Sequence, residues 1–216
     1  MSSSSDTLLC FQHCEKVNIF CFTIPYNCPV CRSDLSRTDM TIPPFRIPSP
    51  LKCEPSNFSL LIKPTFGSFT RDFKQGDLLH IALSNSKSVI FEFNENGISS
   101  SSTSSHLNWT NFLSISLSVL PYKFEDLDEI LESTKVMDIW AADRYDDSFN
   151  NCFDYVISVL NASLQNSSFK LTKLQLTQDV ISPAIKKTVR LLSIIRNVLD
   201  NGFFLQSTHA EQSISS

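Results

Sequence analysis

DLLHIALSNSKSVIFEFNENG, residues 77–97, is the stretch that decides the fold of this chain. Its two apolar runs, LLHIALS and SVIFEFN, are joined by the polar residues NSK, a pattern typical of a β-hairpin. Two short apolar stretches precede it, FSLLIKP at 58–64 and GSFTRDF at 67–73, and NFLSISLSVL at 111–120 alternates like another strand. The first half of the main domain is therefore predicted to be β-rich, with the serine-rich segment after Gly97 as a loop.

Helical periodicity begins downstream of these strands. Three helices are predicted from apolar residues at spacings of three and four. The first has Phe124, Leu127, Ile130 and Leu131 on its apolar face, and the second starts near Asn151 with Tyr155, Val156, Val159 and Leu160. The last has Ser182 as N-cap, Pro183 in its first turn, Gly202 as C-cap, and a stripe of Val189, Leu192, Ile195 and Leu199. The predicted fold class is α+β, with an antiparallel sheet packed against helices.

The 216 residues allow one substantial domain with an appendage. We predict disordered polar ends at 1–7 and 207–216, a cysteine-rich module at 8–35, a proline-rich linker at 36–56 and the main α+β domain at 57–206.

Composition excludes several classes of function. The net charge is −4, and no run of lysine or arginine is present to neutralise a line of phosphates, so nucleic acid is not an expected partner. No apolar run reaches the roughly 18 residues of a membrane span, and the N-terminal sequence lacks the character of a secretory signal. A cytoplasmic or nuclear location is expected, where the seven cysteines would be thiols, metal ligands or a nucleophile rather than disulfides.

Five of the seven cysteines lie between residues 10 and 31. Cys28 and Cys31 form a CPVC turn that can direct two thiolates at one metal ion, and tetrahedral zinc needs a second pair of ligands. His13 with Cys14 provides adjacent donors, whereas Cys10 with His13 has the more usual two-residue gap. A structural zinc ion in a zinc-knuckle-like module is predicted; the alternative is that these cysteines are small buried hydrophobic residues, which suits Cys21 best.

A second candidate site pairs a cysteine with a histidine. Cys152 is predicted in the first turn of a helix capped by Asn150 or Asn151, where the helix dipole favours a thiolate. His80, on a strand edge, could take the thiol proton as a general base. Burial of Cys152 among aromatic residues, and the acidic residues before it, would oppose this chemistry.

The order of the pair, histidine on a strand and then cysteine on a helix, is that of the circularly permuted papain-like fold. DLLHIALSNSKSVIFEFNENG and NNCFDYVISVLN resemble the PPPDE desumoylating and deubiquitinating peptidases and, more distantly, the lecithin retinol acyltransferase relatives. In the acyltransferase relatives a second polar residue on the next strand orients the histidine ring. The equivalent region here offers Glu92 and no histidine, which counts against acyltransferase chemistry.

A broader resemblance covers most of residues 11–204. FQHCEKVNIFCFTIPYNCPVC, IKPTFGSFTRDFKQGDLLHIALSNSKSVIFEFNENGI, WAADRYDDSFNNCFDYVISVLN and NGFF are similar, in order, to the makorin-2 opposite-strand protein family. The resemblance places His13, Cys14, Cys28 and Cys31 in the family's N-terminal HC and CPxC motif, and leaves Cys10 outside it. It implies no particular reaction.

Two functions follow as hypotheses. The favoured one is a partner-binding scaffold built on a degenerate permuted papain-like domain. The alternative is a cysteine hydrolase of the isopeptidase, deubiquitinase or desumoylase type that uses Cys152 and His80. Both imply a protein partner, with a ubiquitin-like protein or its conjugate as the candidate.

Overall fold

The structure, a computed structural model, describes residues 7–101, 109–120, 124–164 and 170–208. The described residues contain ten strands: β1 (Leu9–Gln12), β2 (Val17–Cys21), β3 (Ile42–Arg46), β4 (Leu51–Lys52), β5 (Ser59–Pro64), β6 (Leu79–Ser84), β7 (Ile90–Asn94), β8 (Gly97–Ser101), β9 (Phe112–Ser116) and β10 (Phe203–Ser207). The helices are α1 (Leu127–Thr134), α2 (Cys152–Ala162), α3 (Lys173–Gln175) and α4 (Ser182–Asn201), with a π-helical segment at Leu176–Ile181 and 3₁₀ turns at Leu117–Val119, Asp138–Trp140 and Ala142–Arg144. The α+β class with antiparallel sheets is confirmed.

Contacts divide the chain into two compact units. Unit 1 comprises Met1–Pro50 and Thr188–Ser216, and unit 2 comprises Leu51–Lys187. These limits differ from the expected module at 8–35, linker at 36–56 and domain at 57–206, because both ends of the chain contribute to unit 1. Most of each predicted disordered end lies outside the described residues; Ser207 belongs to β10.

Unit 1 is built on a four-stranded antiparallel sheet in the order β10-β2-β1-β3. Side chains alternate between the two faces of a strand, and here both faces are covered. One face packs Leu8, Cys10 and Phe20 against Ile194 and Val198 of α4. The other packs Phe11, Ile19 and Cys21 against Cys28 and Leu35. The short N-terminal segment therefore has its own core, made by the sheet that it shares with β10.

The proline-rich stretch is not only a linker. Its predicted extended conformation is present, but β3 pairs with β1 and β4 pairs with β9. β3 contains Pro43 and Pro44 and forms an edge of its sheet, where a residue without a backbone N–H costs no ladder hydrogen bond. The linker prediction is corrected to this extent.

Unit 2 is built on a six-stranded sheet in the order β4-β9-β5-β6-β7-β8. The predicted hairpin is present as β6 and β7, which pair antiparallel, but only at Leu83 with Phe91 and at Ser84 with Ile90. The pairing stops before His80 is reached. β5 and β6, in contrast, pair along their whole length, which places Lys63 directly opposite His80.

The serine-rich segment was expected to be a loop, and its first part is a strand. Ser99, Ser100 and Ser101 belong to β8, which begins at Gly97 and pairs with β7 across a turn at Glu95 and Asn96. Gly97 has φ +86°, a conformation that L residues with a side chain rarely adopt. Pairing with β7 gives this segment the conformation of a strand, although its composition favours neither a strand nor a helix. Residues 102–108 of this prediction lie outside the described residues.

Two of the three predicted helices are present, and the start of the third is corrected. α1 buries Leu127 and Leu131, but Phe124, predicted on the same face, lies before the helix in a β-bridge with Leu164, and Ile130 is only half-buried. α2 buries Tyr155, Val156, Val159 and Leu160 as predicted. Ser182 is not an N-cap: it has helical dihedral angles and continues the helix from the π-helical segment, where its N–H donates to the Thr177 carbonyl. A wide turn of this kind accommodates Pro183, which lacks an N–H and would crowd a regular α-helix.

The stripe predicted for α4 is also rotated. Leu192 is buried as expected, but Leu199 is exposed, and Ile194 and Val198 are buried instead. Gly202 ends the helix as predicted, with φ +80° and its N–H donating to the Val198 carbonyl. None of the helices in the described part of the chain has both the length and the apolar character needed to cross a membrane.

Candidate active site and candidate metal centre

His80 and Glu92 form a buried pair in unit 2. His80 lies on β6 and Glu92 on β7, at the ends where the two strands are no longer hydrogen-bonded to each other. The imidazole Nε2 lies 2.8 Å from Glu92 Oε2, and each residue is only 8% exposed. Ser99 of β8 donates to the other carboxylate oxygen at 3.3 Å. The unpaired strand ends therefore leave room for a side-chain ion pair within the sheet.

Opposing effects set the charge of this pair. Burial alone would lower the pKa of His80, but contact with the Cys152 thiol and the Glu92 carboxylate raises it to about 9. Burial would raise the pKa of Glu92, but His80, with smaller contributions from Lys63 and Trp109, lowers it. At neutral pH both groups are thus held in their charged forms.

Cys152 is the first residue of α2, as the sequence predicts. Asn151 is the N-cap: its side chain accepts from the N–H groups of Phe153 and Asp154, and the Asp154 carboxylate accepts from the Asn151 N–H at 3.0 Å. This reciprocal capping box fixes the start of the helix. It uses the N–H groups of Phe153 and Asp154 and leaves that of Cys152 outside the cap.

The loop before α2 is held by its own side chains. Asn150 Nδ2 donates to the carbonyls of Ile139 and Arg144, each at 2.9 Å. Asp146 accepts from the N–H groups of Ser148 and Phe149. These bonds explain why a polar, acidic segment delivers Cys152 to a defined position.

The structure brings Cys152 next to His80. Because Nε2 of the ring is taken by Glu92, Nδ1 is the nitrogen left for the thiol. A side-chain hydrogen bond with the thiol contributes to the raised pKa of the imidazole. Cys152 is 4% exposed.

A cleft of about 590 Å³ opens beside this pair. His80 and Glu92 are among its lining residues. The others are Lys63, Thr65, Phe66, Leu78, Asn94, Glu95, Asn96, Tyr145 and Asp147. Burial raises the pKa of Tyr145 to about 12, with added contributions from Cys152, Asp147 and Glu95, so the thiol and both carboxylates lie near this hydroxyl.

The four predicted metal ligands come together in unit 1. One donor atom from each of His13, Cys14, Cys28 and Cys31 lies within 4.8 Å of the others. Cys14 Sγ is 3.8 Å from Cys28 Sγ, and Cys31 Sγ is 3.3 Å from His13 Nδ1. The other ring nitrogen of His13 is 2.7 Å from Thr38 Oγ1. This cluster could hold a metal ion, and Thr38 fixes the ring that would present Nδ1 to it.

Two tight turns assemble this cluster. His13 and Cys14 follow β1 at the β1–β2 connection, where Glu15 has φ +55°. In the CPVC turn the Arg32 N–H donates to the Cys28 carbonyl at 2.8 Å, and Arg32 itself has φ +65°. Cys10, the other ligand considered from the sequence, is buried with Leu8 and Phe20 on the opposite face of the sheet. Burial, with a contribution from Cys21, raises the pKa of Cys10 to about 11, as expected for a core thiol.

The thiols in the cluster differ from one another. Hydrogen bonds with the Ser33 side chain and backbone, and with Cys14, lower the pKa of Cys31 to about 6. Burial and the neighbouring thiols raise that of Cys14 to about 12. All seven cysteines are free thiols.

Two protein-family descriptions match the chain. "DUF4796 C-terminal" matches residues 44–198, and "DUF4796 N-terminal" matches residues 6–35. The chain belongs to the DUF4796 family. It is 26% identical over 221 residues to the human MKRN2 opposite strand protein, an alignment that covers 98% of this chain and 94% of that relative. The family predicted from the sequence is thereby confirmed. No solved structure gives a significant match to this DUF4796 chain.

Several contributors to the two sites were not predicted. The sequence predicts His80, Cys152 and the four metal ligands. It indicates Glu92 only as the residue in the region that holds a ring-orienting polar residue in the acyltransferase relatives. Lys63, Trp109 and Tyr145 beside the first site, and Thr38 beside the second, were missed. Lys63 carries the one signal available, since it is a charged residue within the otherwise apolar strand FSLLIKP.

Proposed function

We propose that unit 2 of this DUF4796 chain is a permuted papain-like domain that acts as a cysteine hydrolase on a peptide, isopeptide or other acyl bond. Cys152 is the proposed nucleophile and His80 the general acid and base, while Glu92 positions the imidazole. The observation that carries the proposal is the buried His80–Glu92 pair at 2.8 Å, with the thiol of Cys152, the first residue of α2, against the same ring.

The reaction would proceed in two stages. The reactive form is a thiolate–imidazolium pair, in which the thiol proton is already on His80. Sγ bonds to the substrate carbonyl carbon, and the carbon–nitrogen or carbon–oxygen bond breaks as the imidazolium of His80 protonates the leaving group. His80 then takes a proton from water, whose oxygen bonds to the thioester carbon while the carbon–sulfur bond breaks. The Cys152 N–H, which the cap does not use, is a donor for the oxyanion of both stages.

A protein is the proposed substrate, with a ubiquitin-like conjugate as the candidate class. Phe66 and Leu78 line the cleft and are 80% and 70% exposed, which provides apolar surface for a polypeptide beside the proposed nucleophile. The proposed thiol chemistry requires reduced cysteines and therefore a compartment such as the cytosol or nucleus.

Labelling with electrophiles tests this function. Ubiquitin and SUMO derivatives that carry a thiol-reactive C-terminus should form one covalent adduct, detected as a mass increase of the intact protein. Cys152→Ala should abolish the adduct, His80→Ala should slow its formation at least tenfold, and Cys53→Ser, at an exposed thiol outside both sites, should leave it unchanged. Equal labelling of wild-type protein and Cys152→Ala would refute the proposal.

One observation favours the scaffold hypothesis instead. Cys152 is almost fully buried and is not among the residues that line the cleft, so substrate access requires local movement. A scaffold would bind the ubiquitin or SUMO derivative reversibly, with equal affinity for wild-type protein and Cys152→Ala, and would form no adduct. The same samples therefore separate the two functions.

We also propose that His13, Cys14, Cys28 and Cys31 hold a structural zinc ion. Three thiolates and one imidazole are a usual donor set for tetrahedral zinc, and the contact of Thr38 with the second ring nitrogen suits a ligating histidine. The four protein donors would leave no open position for a substrate. The role of the metal is therefore to join the two turns.

Metal analysis tests the zinc proposal. Protein purified without chelators should contain about one zinc per chain, and the Cys28→Ser, Cys31→Ser double variant should contain none. Cys10→Ser and Cys53→Ser, which alter thiols outside the cluster, should keep the metal. Fresh wild-type protein without zinc, or full zinc content in the double variant, would rule out this site.

A further inference from the structure

Lys63 lies beside His80 of the proposed catalytic pair. It is paired with His80 across β5 and β6, and its side chain lines the same cleft. Its Nζ lies 4.5 Å from the centroid of the Trp109 ring, and that ring lies 5.8 Å from the imidazole of His80. The ammonium group, the indole and the imidazole are thus packed together around the Glu92 carboxylate.

The position of Lys63 is electrostatically costly. Burial lowers the pKa of this lysine, and the carboxylates of Glu92 and Glu95 oppose that effect. A lysine on a largely buried strand is unusual unless a partner compensates its charge. The compensation is mutual, because Lys63 also contributes to the lowered pKa of Glu92.

Trp109 contacts Lys63 and contributes to the environment of Glu92. Its Nε1 is buried without a formed hydrogen bond among the described residues, yet the indole helps to lower the pKa of Glu92. The indole face receives the Lys63 cation, an arrangement that is favourable when both groups are desolvated. Lys63 is therefore held in place by the ring as well as by the carboxylates.

We infer that Lys63 is a positioning residue of the proposed hydrolase, whose cation keeps the Glu92 carboxylate bonded to His80 and thereby keeps the imidazole facing Cys152. This inference rests on the proposed function. In this role Lys63 acts through Glu92, so its effect is on the pH range over which the pair is assembled.

Other titratable groups surround this cluster. Glu95 follows β7, Tyr145 and Asp147 belong to the loop before α2, and Cys152 begins α2. In a Lys63 variant without the charge these side chains are all present, but Glu95 also loses its interaction with the cation. A shift in the acidic side of the pH profile is therefore assigned to Glu92 only where the carboxyl titration of Glu92 itself moves with it, because Glu92 would then take up its proton at higher pH and release the ring.

Substitution of Lys63 separates charge from packing. Lys63→Met keeps an apolar stem against Trp109 and removes the cation, Lys63→Gln is a second neutral variant, and Lys63→Arg keeps the charge. Lys52→Met, at an exposed position on β4, is the matched control. Two quantities are measured: the ¹³C carboxyl shift of Glu92 against pH, and the rate of Cys152 alkylation by iodoacetamide against pH, followed by peptide mass spectrometry.

The expected result is specific to the charge. In Lys63→Met and Lys63→Gln the Glu92 titration and the acidic half-point of alkylation should both move up by about one pH unit, which lowers the alkylation rate on the acidic side about tenfold. Lys63→Arg and Lys52→Met should behave as wild type. A merely structural role would instead lower the rate at every pH without moving the half-point.

Failure of this inference differs from failure of the proposed function. If neutral Lys63 variants leave both titrations unmoved, or if Lys63→Arg moves them equally, the positioning role is excluded. It is also excluded if Glu92 shifts while alkylation does not. If wild-type alkylation is slow and does not depend on His80, the hydrolase proposal and the positioning role fall together, whereas the Lys63–Glu92 coupling is still decided by the carboxyl titration.

Discussion

At the scale of single residues, burial and neighbouring groups act in opposite directions on the pKa of His80. A histidine this deeply buried would ordinarily be neutral, because burial penalises its charged form. The Glu92 carboxylate at 2.8 Å and the Cys152 thiol reverse that preference and raise the pKa of the imidazole to about 9. The ion pair therefore couples the candidate active site to the stability of unit 2.

This coupling has a definite pH dependence. The raised pKa of His80 means that its stabilisation is complete below the ordinary value of 6.5 and is lost as the pH rises through about 9. The lowered pKa of Glu92 means that its stabilisation is complete above the ordinary value of 4.5 and is lost as the pH falls. Both contributions are complete only between these two ordinary values.

We expect Glu92→Gln to reveal this window. The free energy of unfolding of wild-type unit 2 should exceed that of Glu92→Gln most clearly at pH 5 to 6.5, by about 1 to 2 kcal/mol, because the variant loses the part of the raised His80 pKa that comes from Glu92 and keeps the part that comes from Cys152. The difference should shrink as the pH approaches 9. Urea denaturation at several pH values measures it. A difference that stays constant from pH 5 to pH 9 would contradict the assigned ion pair.

At the scale of elements, the structures that follow from local sequence pattern were predicted, and those that depend on pairing with a distant strand were not. The β6–β7 hairpin and α2 were predictable because apolar periodicity and capping residues act over a few neighbouring positions. β8 was not, because a serine run has no intrinsic preference for a strand and becomes one by pairing with β7. β3 is a similar case, since its prolines favour an extended chain but do not indicate the strand with which it pairs.

The helix that leads to α4 shows another limit. Ser182 followed by Pro183 has the sequence of a helix start, and local rules predict a cap there. The helical chain in fact enters from α3 through the π-helical segment at Leu176–Ile181. A one-turn change in hydrogen bonding has no strong sequence signal. The predicted stripe of α4 also differs from the observed one, since Val198 is buried and Leu199 is exposed.

The candidate sites divide in the same way. His13, Cys14, Cys28 and Cys31 could be selected from spacing, because both ligand pairs lie on short turns whose geometry is local. His80 and Cys152 could be selected from residue type and their positions on a strand and a helix end. Lys63 and Trp109 could not, because the half-buried lysine is placed by the register of β5 with β6 and the buried tryptophan is placed by tertiary contacts with Lys63 and His80.

At the scale of the whole molecule, the chain forms two units with separate sheets. Unit 1 combines the N-terminal strands β1, β2 and β3 with the C-terminal strand β10. Its metal-ligand cluster lies on the two turns that flank one face of this sheet, next to the core formed by Phe11, Ile19 and Cys21. A metal there would stabilise a sheet assembled from the two ends of the chain.

Removal of the metal should therefore destabilise the whole sheet of unit 1 and not only residues 8–35. We expect a zinc chelator, or the Cys28→Ser, Cys31→Ser substitutions, to increase amide hydrogen exchange at least tenfold in β1, β2 and β10, because binding free energy of a structural metal is folding free energy for the unit that holds it. β5, β6 and β9, which pair within the sheet of unit 2, should keep their protection. Exchange measured by mass spectrometry on wild-type protein, the double variant and Cys53→Ser gives the comparison, with Cys53→Ser expected to match wild type. Equal loss of protection in both sheets would mean that the two units unfold together, and unchanged exchange in β1 and β2 would mean that the cluster contributes nothing to the fold.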